Sequence, residues 1–179
     1  MNKDVEKILL NEKQIAKICQ DLGKQITEDY KGKELLAVGI LKGSIVFFAD
    51  VIRNIDLDMN LDFMVVSSYG ASATTSGMVQ ILKDVSVDIS DKHLLIIEDI
   101  VDTGVTLYNV KNVLLERGAA SVKICTFLDK PSRRKADIKA DYIGAVVPDE
   151  FVVGYGLDYA EKYRNLPYLG VLKREVYEK

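Results

Sequence analysis

Short apolar runs alternate with amphipathic segments along most of the chain. Asn11 can cap a helix, because apolar positions follow it at the helical period. Two more helical patterns begin at Ile45 and Leu107, and the second of these stops at Gly118. Between them lie apolar runs typical of buried strands at 35–41, 63–67, 77–82, 94–97, 122–128 and 142–147. This alternation predicts an α/β fold with an open, mostly parallel twisted sheet flanked by helices.

The 179 residues are enough for one substantial core, and we see no linker or internal repeat. A single domain is therefore predicted, with a core at about 33–147. The tail after 148 is rich in Tyr and Gly and has no regular period. We expect it to form a small lid together with the first helix, so that the lid comprises about 1–32 and 148–179.

Composition excludes several classes of protein. A net charge of −3 and a pI near 5.3 argue against a protein that coats nucleic acid. No stretch is apolar enough to span a membrane, and the charged amino terminus does not resemble a secretory signal, so a cytoplasmic protein is expected. Cys19 and Cys125 lie in apolar patterns and are predicted to be buried thiols. The only histidine, His93, is expected at an exposed strand edge, which leaves Asp, Glu or Lys as the general base.

The run LLIIEDIVDTGVTL, residues 94–107, carries the clearest chemistry. Glu98 and Asp99 follow a buried strand, at the carboxyl edge where open α/β sheets bind ligands. A carboxylate repels phosphate unless a metal lies between them, but it accepts hydrogen bonds from sugar hydroxyls. A phosphorylated sugar with Mg²⁺ satisfies both conditions, although acids that merely cap a helix remain an alternative. The anion cup would be formed by Asp102, Thr103, Gly104, Val105 and Thr106.

This run resembles the phosphoribosyl-pyrophosphate signature of type I phosphoribosyltransferases: an apolar strand, two acids, two apolar residues, then Asp-Thr-Gly-x-Thr. Other stretches resemble the hypoxanthine-guanine branch of that family over nearly the whole length. Leu41, Lys42 and Gly43 correspond to the loop whose main chain meets pyrophosphate, where the peptide before the lysine can be cis. Ser68 and Tyr69 correspond to the start of a mobile catalytic loop. A plain helix-entry turn and a polar hairpin loop remain the alternatives.

The resemblance also covers the expected base-binding residues. Lys130 corresponds to the lysine that donates to the purine 6-oxo group, and Phe151 and Val152 to residues that stack on the base and bind it through the main chain. Asp158 corresponds to a carboxylate that holds Mg²⁺ and lies beside the base, and Arg164 to a cation on pyrophosphate. Taken alone, Lys130 is one of several basic residues in a segment typical of a solvated turn, and Phe151 could be a core residue.

The activity implied by the resemblance is transfer of ribose 5-phosphate from phosphoribosyl pyrophosphate to N9 of hypoxanthine or guanine. Asp102 would be the general base that takes the N7 proton. Glu98 and Asp99 would hold the ribose hydroxyls, with Mg²⁺ between them and pyrophosphate in some states. Mg²⁺, the two small-molecule substrates and a homodimer or homotetramer are therefore expected, with no nucleic-acid or membrane partner.

Three alternatives remain open from the sequence. A regulatory protein on the same fold would bind nucleotides and RNA, but it would need a basic face that the acidic balance disfavours. A transferase for another base would keep the signature, but the base-binding roles expected of Lys130 and Phe151 would not apply. An aspartic protease also uses Asp-Thr-Gly, but in an all-β chain, whereas helices and strands alternate here.

Overall fold

A computed structural model describes residues 1–68 and 79–178. Four helices are found in these two ranges: α1 (Glu12–Asp29), α2 (Ile45–Ile52), α3 (Val105–Glu116) and α4 (Arg174–Tyr177). The strands there are β1 (Val5–Leu10), β2 (Leu35–Leu41), β3 (Met59–Ser68), β4 (Val79–Lys83), β5 (His93–Val101), β6 (Ser121–Asp129), β7 (Tyr142–Val146), β8 (Val152–Val153) and β9 (Leu169–Leu172).

Six strands form the main sheet in the order β4-β3-β2-β5-β6-β7. All neighbours in it are parallel except β3 and β4, so the predicted open, mostly parallel sheet is confirmed. The chain leaves β2 through α2 toward β3 on one side, and leaves β5 through α3 toward β6 on the other. The strand order thus reverses between β2 and β5, which is where sheets of this kind open a crevice for ligands.

The central strand β5 is buried on both faces, as its apolar run predicts. Leu95 and Ile97 belong to the core beneath α1 and α2, whereas Leu94 and Ile96 belong to the core beneath α3. Successive side chains of a strand point to opposite faces, so one uninterrupted apolar run joins the two cores. The strand continues past its apolar part to Val101 and includes both acids of the signature.

Helix α1 begins as predicted, with a capping box between Asn11 and Gln14. Its apolar stripe, however, packs into the main core against α2 and β7 and not into a separate lid. The helix packs there because an apolar stripe of this width is buried most completely against the sheet, while the lid at about 1–32 and 148–179 stays a prediction.

A second, three-stranded antiparallel sheet has the order β1-β9-β8. Its small core contains Val5, Val153 and Leu172, all of them buried. Strand β1 and the carboxyl-terminal tail together form this small unit. The sequence instead predicts that the first helix forms it with the tail. Because β1 mixes charged and apolar residues and β8 has only two residues, neither carries a clear strand pattern.

Two further predictions concern single side chains. Cys19 and Cys125 are buried free thiols, as expected. His93 does not lie at an exposed edge: it begins the central strand β5, is half-buried, and its Nδ1 is 2.8 Å from Oγ of Ser121. The sheet order, which the sequence does not reveal, is the reason for this difference. No helix within the described ranges is both long and apolar enough to cross a membrane.

Candidate active site

The loops that follow β2 and β5 meet at the carboxyl edge of the main sheet and enclose a cleft of about 520 Å³, called here the first cleft. Its walls bring together residues that the sequence placed on three separate stretches. Ten of the predicted site residues line it: Leu41, Gly43, Glu98, Asp99, Asp102, Thr103, Gly104, Thr106, Asp158 and Arg164.

The two acids of the signature lie side by side at the end of β5. Glu98 is 9% exposed, and its Oε1 accepts a hydrogen bond of 3.0 Å from the amide of Asp99. Burial, and then the neighbouring charge of Asp99, raises the pKa of Glu98 well above its ordinary value, and burial also raises the pKa of Asp99. Adjacent carboxylates in such surroundings favour a ligand that brings positive charge or hydroxyl donors.

The predicted pyrophosphate loop contacts this acid pair directly. The peptide between Leu41 and Lys42 is cis. A Cβ atom at Gly43 would overlap the carboxylate of Asp99, so only glycine lets the loop lie this close. The side chain of Lys42 turns outward, and its Nζ is 3.0 Å from Oε2 of Glu161. The loop therefore presents its main chain, as the resemblance implies.

The predicted phosphate loop opens helix α3. Gly104 at the N-cap position has φ of +77° and offers no side chain to the first amides of the helix. The carbonyl of Thr103 accepts hydrogen bonds from the amides of Lys135 and Ala136, at 2.9 and 3.1 Å, which fix the loop from behind. The hydroxyl of Thr103 contacts the amide of Val105 only at 3.4 Å. The start of a twelve-residue helix, with no side-chain cap, can receive an anion.

Asp158 and Arg164 reach the first cleft from the tail. Arg164 Nη2 is 2.9 Å from Oδ1 of Asp158 and 3.3 Å from Oε1 of Glu161, while Nη1 donates to the carbonyl of Gly156 at 2.8 Å. Nε of Arg164 is buried and has no hydrogen-bond partner among the described residues. The guanidinium lines the first cleft, so its positive charge would attract an anion there.

The predicted metal ligands Glu98, Asp99 and Asp158 do not form a cluster. In the part of the chain that the structure describes, no three His, Cys, Asp or Glu side chains are arranged to hold a metal, and Asp158 pairs with Arg164. The two adjacent carboxylates of β5 nevertheless fit Mg²⁺, which commonly takes one or two protein carboxylates and completes its shell with substrate phosphates and water.

A second cleft, of about 460 Å³, lies next to the first and shares Ile100, Asp102 and Asp158 with it. The predicted base-binding residues Lys130, Phe151 and Val152 all line this second cleft. The structure thus divides the predicted site into two adjoining compartments.

Lys130 is only 7% exposed, so it is not one of the solvated basic residues of its segment. Its Nζ donates to the carbonyl of Glu150 at 2.9 Å and lies 3.7 Å from Oδ1 of Asp149. Phe151 is 37% exposed, and Val152 is buried in β8. A buried ammonium beside a half-open aromatic ring suits a flat heterocycle that carries an acceptor.

Asp102 stands on the wall between the two clefts. Its Oδ1 is buried and accepts no hydrogen bond from the described residues, although Nε of Arg133 is 2.9 Å away as an ion-pair partner. Arg133 also lines the second cleft. The sequence grouped this arginine with solvated basic residues, and only the short 3₁₀ turn at Pro131–Arg133 brings it to Asp102.

The predicted mobile loop begins at the end of β3. Ser68 is the last residue of that strand, and Tyr69 lies outside the described residues. The catalytic loop therefore stays a prediction.

The helix N-terminus, the buried acids and the adjoining cleft with its aromatic ring, all at a switch point, are typical of an α/β protein that binds a phosphorylated sugar or nucleotide. Residues 6–160 match the family model of the phosphoribosyl transferase domain. The chain belongs to the phosphoribosyltransferase family.

The chain is similar over its full length to curated relatives. It is 56% identical over 179 residues, which is all of both chains, to a hypoxanthine-guanine phosphoribosyltransferase of Staphylococcus epidermidis. A crystal structure of a hypoxanthine phosphoribosyltransferase from Staphylococcus aureus superimposes with a TM-score of 0.95 at 55% identity, over 98% of this chain and 96% of that one. A crystal structure of a hypoxanthine-guanine phosphoribosyltransferase from Bacillus anthracis superimposes with a TM-score of 0.90 at 44% identity, over 94% of this chain and 99% of that one.

Proposed function

We propose that this protein transfers ribose 5-phosphate from phosphoribosyl pyrophosphate to N9 of hypoxanthine or guanine, which yields IMP or GMP and pyrophosphate. The observation that carries the proposal is the position of Asp102, between an anion-binding cleft and a cleft lined by Lys130 and Phe151. A transferase must bring two chemically different substrates to one reacting centre, and two clefts with a shared wall meet that need. The full-length similarity to enzymes of this name supports it.

In this reaction the bond from C1′ to the leaving oxygen breaks, and a bond from purine N9 to C1′ forms. The N7 proton of the base must leave, and Asp102 is a carboxylate that lines both compartments. Its Oδ1 has an ion-pair contact with Arg133 but accepts no hydrogen bond from the described residues, so the N7–H group would find an acceptor there. Asp102 therefore acts as the general base.

The first cleft would hold phosphoribosyl pyrophosphate at three points. The amides that open α3, with the hydroxyls of Thr103 and Thr106, bind the 5′-phosphate. The main chain around Gly43, together with Arg164, binds pyrophosphate. Glu98 and Asp99 would accept hydrogen bonds from the ribose hydroxyls and would bind Mg²⁺. Asp158 would lie near the same Mg²⁺ ion. When bound, Mg²⁺ neutralises charge that develops on pyrophosphate.

The second cleft would select the base. The ammonium of Lys130 donates to the 6-oxo group of hypoxanthine or guanine, whereas the 6-amino group of adenine would oppose one donor with another. Phe151 provides the stacking surface, and the main chain at Val152 contacts the edge of the ring, with Asp158 beside it.

The test is nucleotide formation with Mg²⁺ and phosphoribosyl pyrophosphate against hypoxanthine, guanine, xanthine, adenine and uracil, each measured separately. We expect product with hypoxanthine and with guanine, and no product with adenine or with uracil. Product with adenine would refute the role of Lys130. Silence with all five bases would refute the transferase and favour a nucleotide-sensing regulator.

We also propose a cytoplasmic homodimer or homotetramer, as the resemblance implies. Sedimentation velocity of the purified protein at micromolar concentration distinguishes the two, and a monomer at that concentration would contradict both.

A further inference from the structure

Phe151 does not stand alone in the second cleft. The ring of Tyr177, in the last helix α4, stacks on it with centroids 4.8 Å apart and an interplanar angle of 25°. Tyr159 meets Phe151 at 5.5 Å and 90°, edge to face. Phe151 therefore contacts one nearly parallel ring and one perpendicular ring.

Tyr177 is carried to this position by the small sheet. The amide of Leu172, at the end of β9, donates to the carbonyl of Phe151 at 2.8 Å, which fixes the start of the tail beside the platform. Helix α4 follows two residues later, and Val176 and Tyr177 pack onto the small core of Val5, Val153 and Leu172. The stack is thus fixed to the small sheet through these contacts.

An aromatic ring has two faces, and Tyr177 covers one of them. Phe151 keeps 37% of its surface exposed, and both rings line the second cleft with Lys130. The face of Phe151 that remains is the one available to a heterocycle. An unsupported Phe at this exposed position would turn about its side-chain bonds and lose entropy when a base bound.

We propose that Tyr177 is a positioning residue for the purine: it backs Phe151, so that the base, Phe151 and Tyr177 form a three-layer stack. The inference rests on the proposed role of Phe151 as the base platform. It assigns helix α4 a part in binding the base and none in binding phosphoribosyl pyrophosphate.

The test compares Tyr177→Ala, Tyr177→Leu and Tyr177→Phe with a matched control, Glu175→Ala. Glu175 is exposed on the same short helix and does not line the cleft. For each variant we would measure kcat, the KM for hypoxanthine, the KM for phosphoribosyl pyrophosphate, the melting temperature and the sedimentation coefficient. The last two measurements detect a loss of fold or of assembly, and the Leu variant retains apolar packing if the Ala variant does not fold.

The expected result is a KM for hypoxanthine about 3- to 10-fold higher in the Ala and Leu variants, the range that loss of one aromatic pair gives. The KM for phosphoribosyl pyrophosphate, the kcat and the sedimentation coefficient should stay within about twofold of the parent. Tyr177→Phe, which keeps the ring, and Glu175→Ala should match the parent.

Three results would overturn the inference. An unchanged KM for hypoxanthine in Tyr177→Ala would remove the role of the ring. A lowered KM would show that Tyr177 competes with the base for Phe151. A Tyr177→Phe variant as impaired as the Ala variant would assign the effect to the hydroxyl.

Phe151→Ala separates this inference from the proposed function. If that variant raises the KM for hypoxanthine and Tyr177→Ala does not, only the role of Tyr177 is lost. If Phe151→Ala leaves the KM unchanged, the platform itself is wrong, and the three-layer stack is refuted with it.

Discussion

Replacing Gly43 by Ala tests whether the contact between the pyrophosphate loop and Asp99 matters for binding. The φ angle of Gly43 is not in the left-handed region, so its backbone accepts Ala without strain. The added Cβ atom would instead overlap Oδ2 of Asp99 and lie 2.6 Å from its Cγ. The effect is therefore confined to one loop and one carboxylate.

The magnitude follows from the displacement that is needed. Ordinary contacts of a Cβ atom begin at 3.4 Å, and Oδ2 of Asp99 would lie at 1.8 Å, so the loop and the carboxylate must separate by about 1.6 Å, or about 0.8 Å each if both move. Asp99 resists, because its Oδ1 accepts a hydrogen bond of 2.8 Å from the amide of Ile100. A misplacement near 1 Å costs on the order of 100-fold in rate, and overpacking costs about 1–3 kcal/mol. We expect kcat/KM for phosphoribosyl pyrophosphate to fall about 10- to 100-fold.

The assay is isothermal titration of phosphoribosyl pyrophosphate with Mg²⁺, together with kcat/KM at saturating hypoxanthine. Gly32→Ala is the matched control: Gly32 has φ of +75° and no atom within 4 Å of an added Cβ. That control should lose about 1 kcal/mol of stability through backbone strain and bind the ligand normally. Binding by Gly43→Ala within twofold of the parent would refute the reasoning, as would an equal loss in Gly32→Ala.

Three further substitutions test individual roles. Glu98→Gln should stabilise the ligand-free protein at about pH 8, measured by urea unfolding, because burial disfavours the charged carboxylate. Because the pKa of Glu98 is raised in the folded state, this side chain stabilises the fold fully below about pH 4, and the contribution is lost as pH rises through the raised pKa. The stability gained by Glu98→Gln should therefore shrink toward pH 4, and a gain that does not shrink would contradict the prediction. Asp102→Asn should lower kcat about 10²- to 10⁴-fold while the Kd for phosphoribosyl pyrophosphate changes less than about threefold; equal losses in both would refute the general base. Lys130→Ala should raise the KM for hypoxanthine about 10- to 100-fold and spare phosphoribosyl pyrophosphate, with exposed Lys139→Ala as the control, and equal loss of both ligands would assign Lys130 elsewhere.

The main sheet could be predicted because its strands are buried on both faces and separated by helical periods. The same physical pattern does not encode strand order. The reversal between β2 and β5, which brings Gly43 against Asp99, depends on long-range pairing that no local run displays. The partly buried position of His93 in the central strand was missed for the same reason.

The small sheet and the ion pair of Arg133 were harder to predict. Backbone angles with positive φ at Tyr155, Ala160, Glu161 and Tyr163 break any period along the tail. Arg133 lies among several basic residues, and its neighbour Arg134 pairs with Asp129 and not with Asp102. A run of similar side chains does not indicate which member pairs with Asp102.

The tail segment from 151 to 164 connects the two clefts. Phe151 lines the second cleft, Arg164 lines the first, and Asp158 lines both. Between them Gly156, with φ of +100°, lies so close to the carbonyl of Gly43 that a Cβ atom would overlap it. The pyrophosphate loop therefore packs backbone against backbone on the tail between Phe151 and Arg164, at interior packing density. The ion pair of Lys42 with Glu161 joins the same two segments, so the residues that line the two clefts are held by one continuous set of contacts.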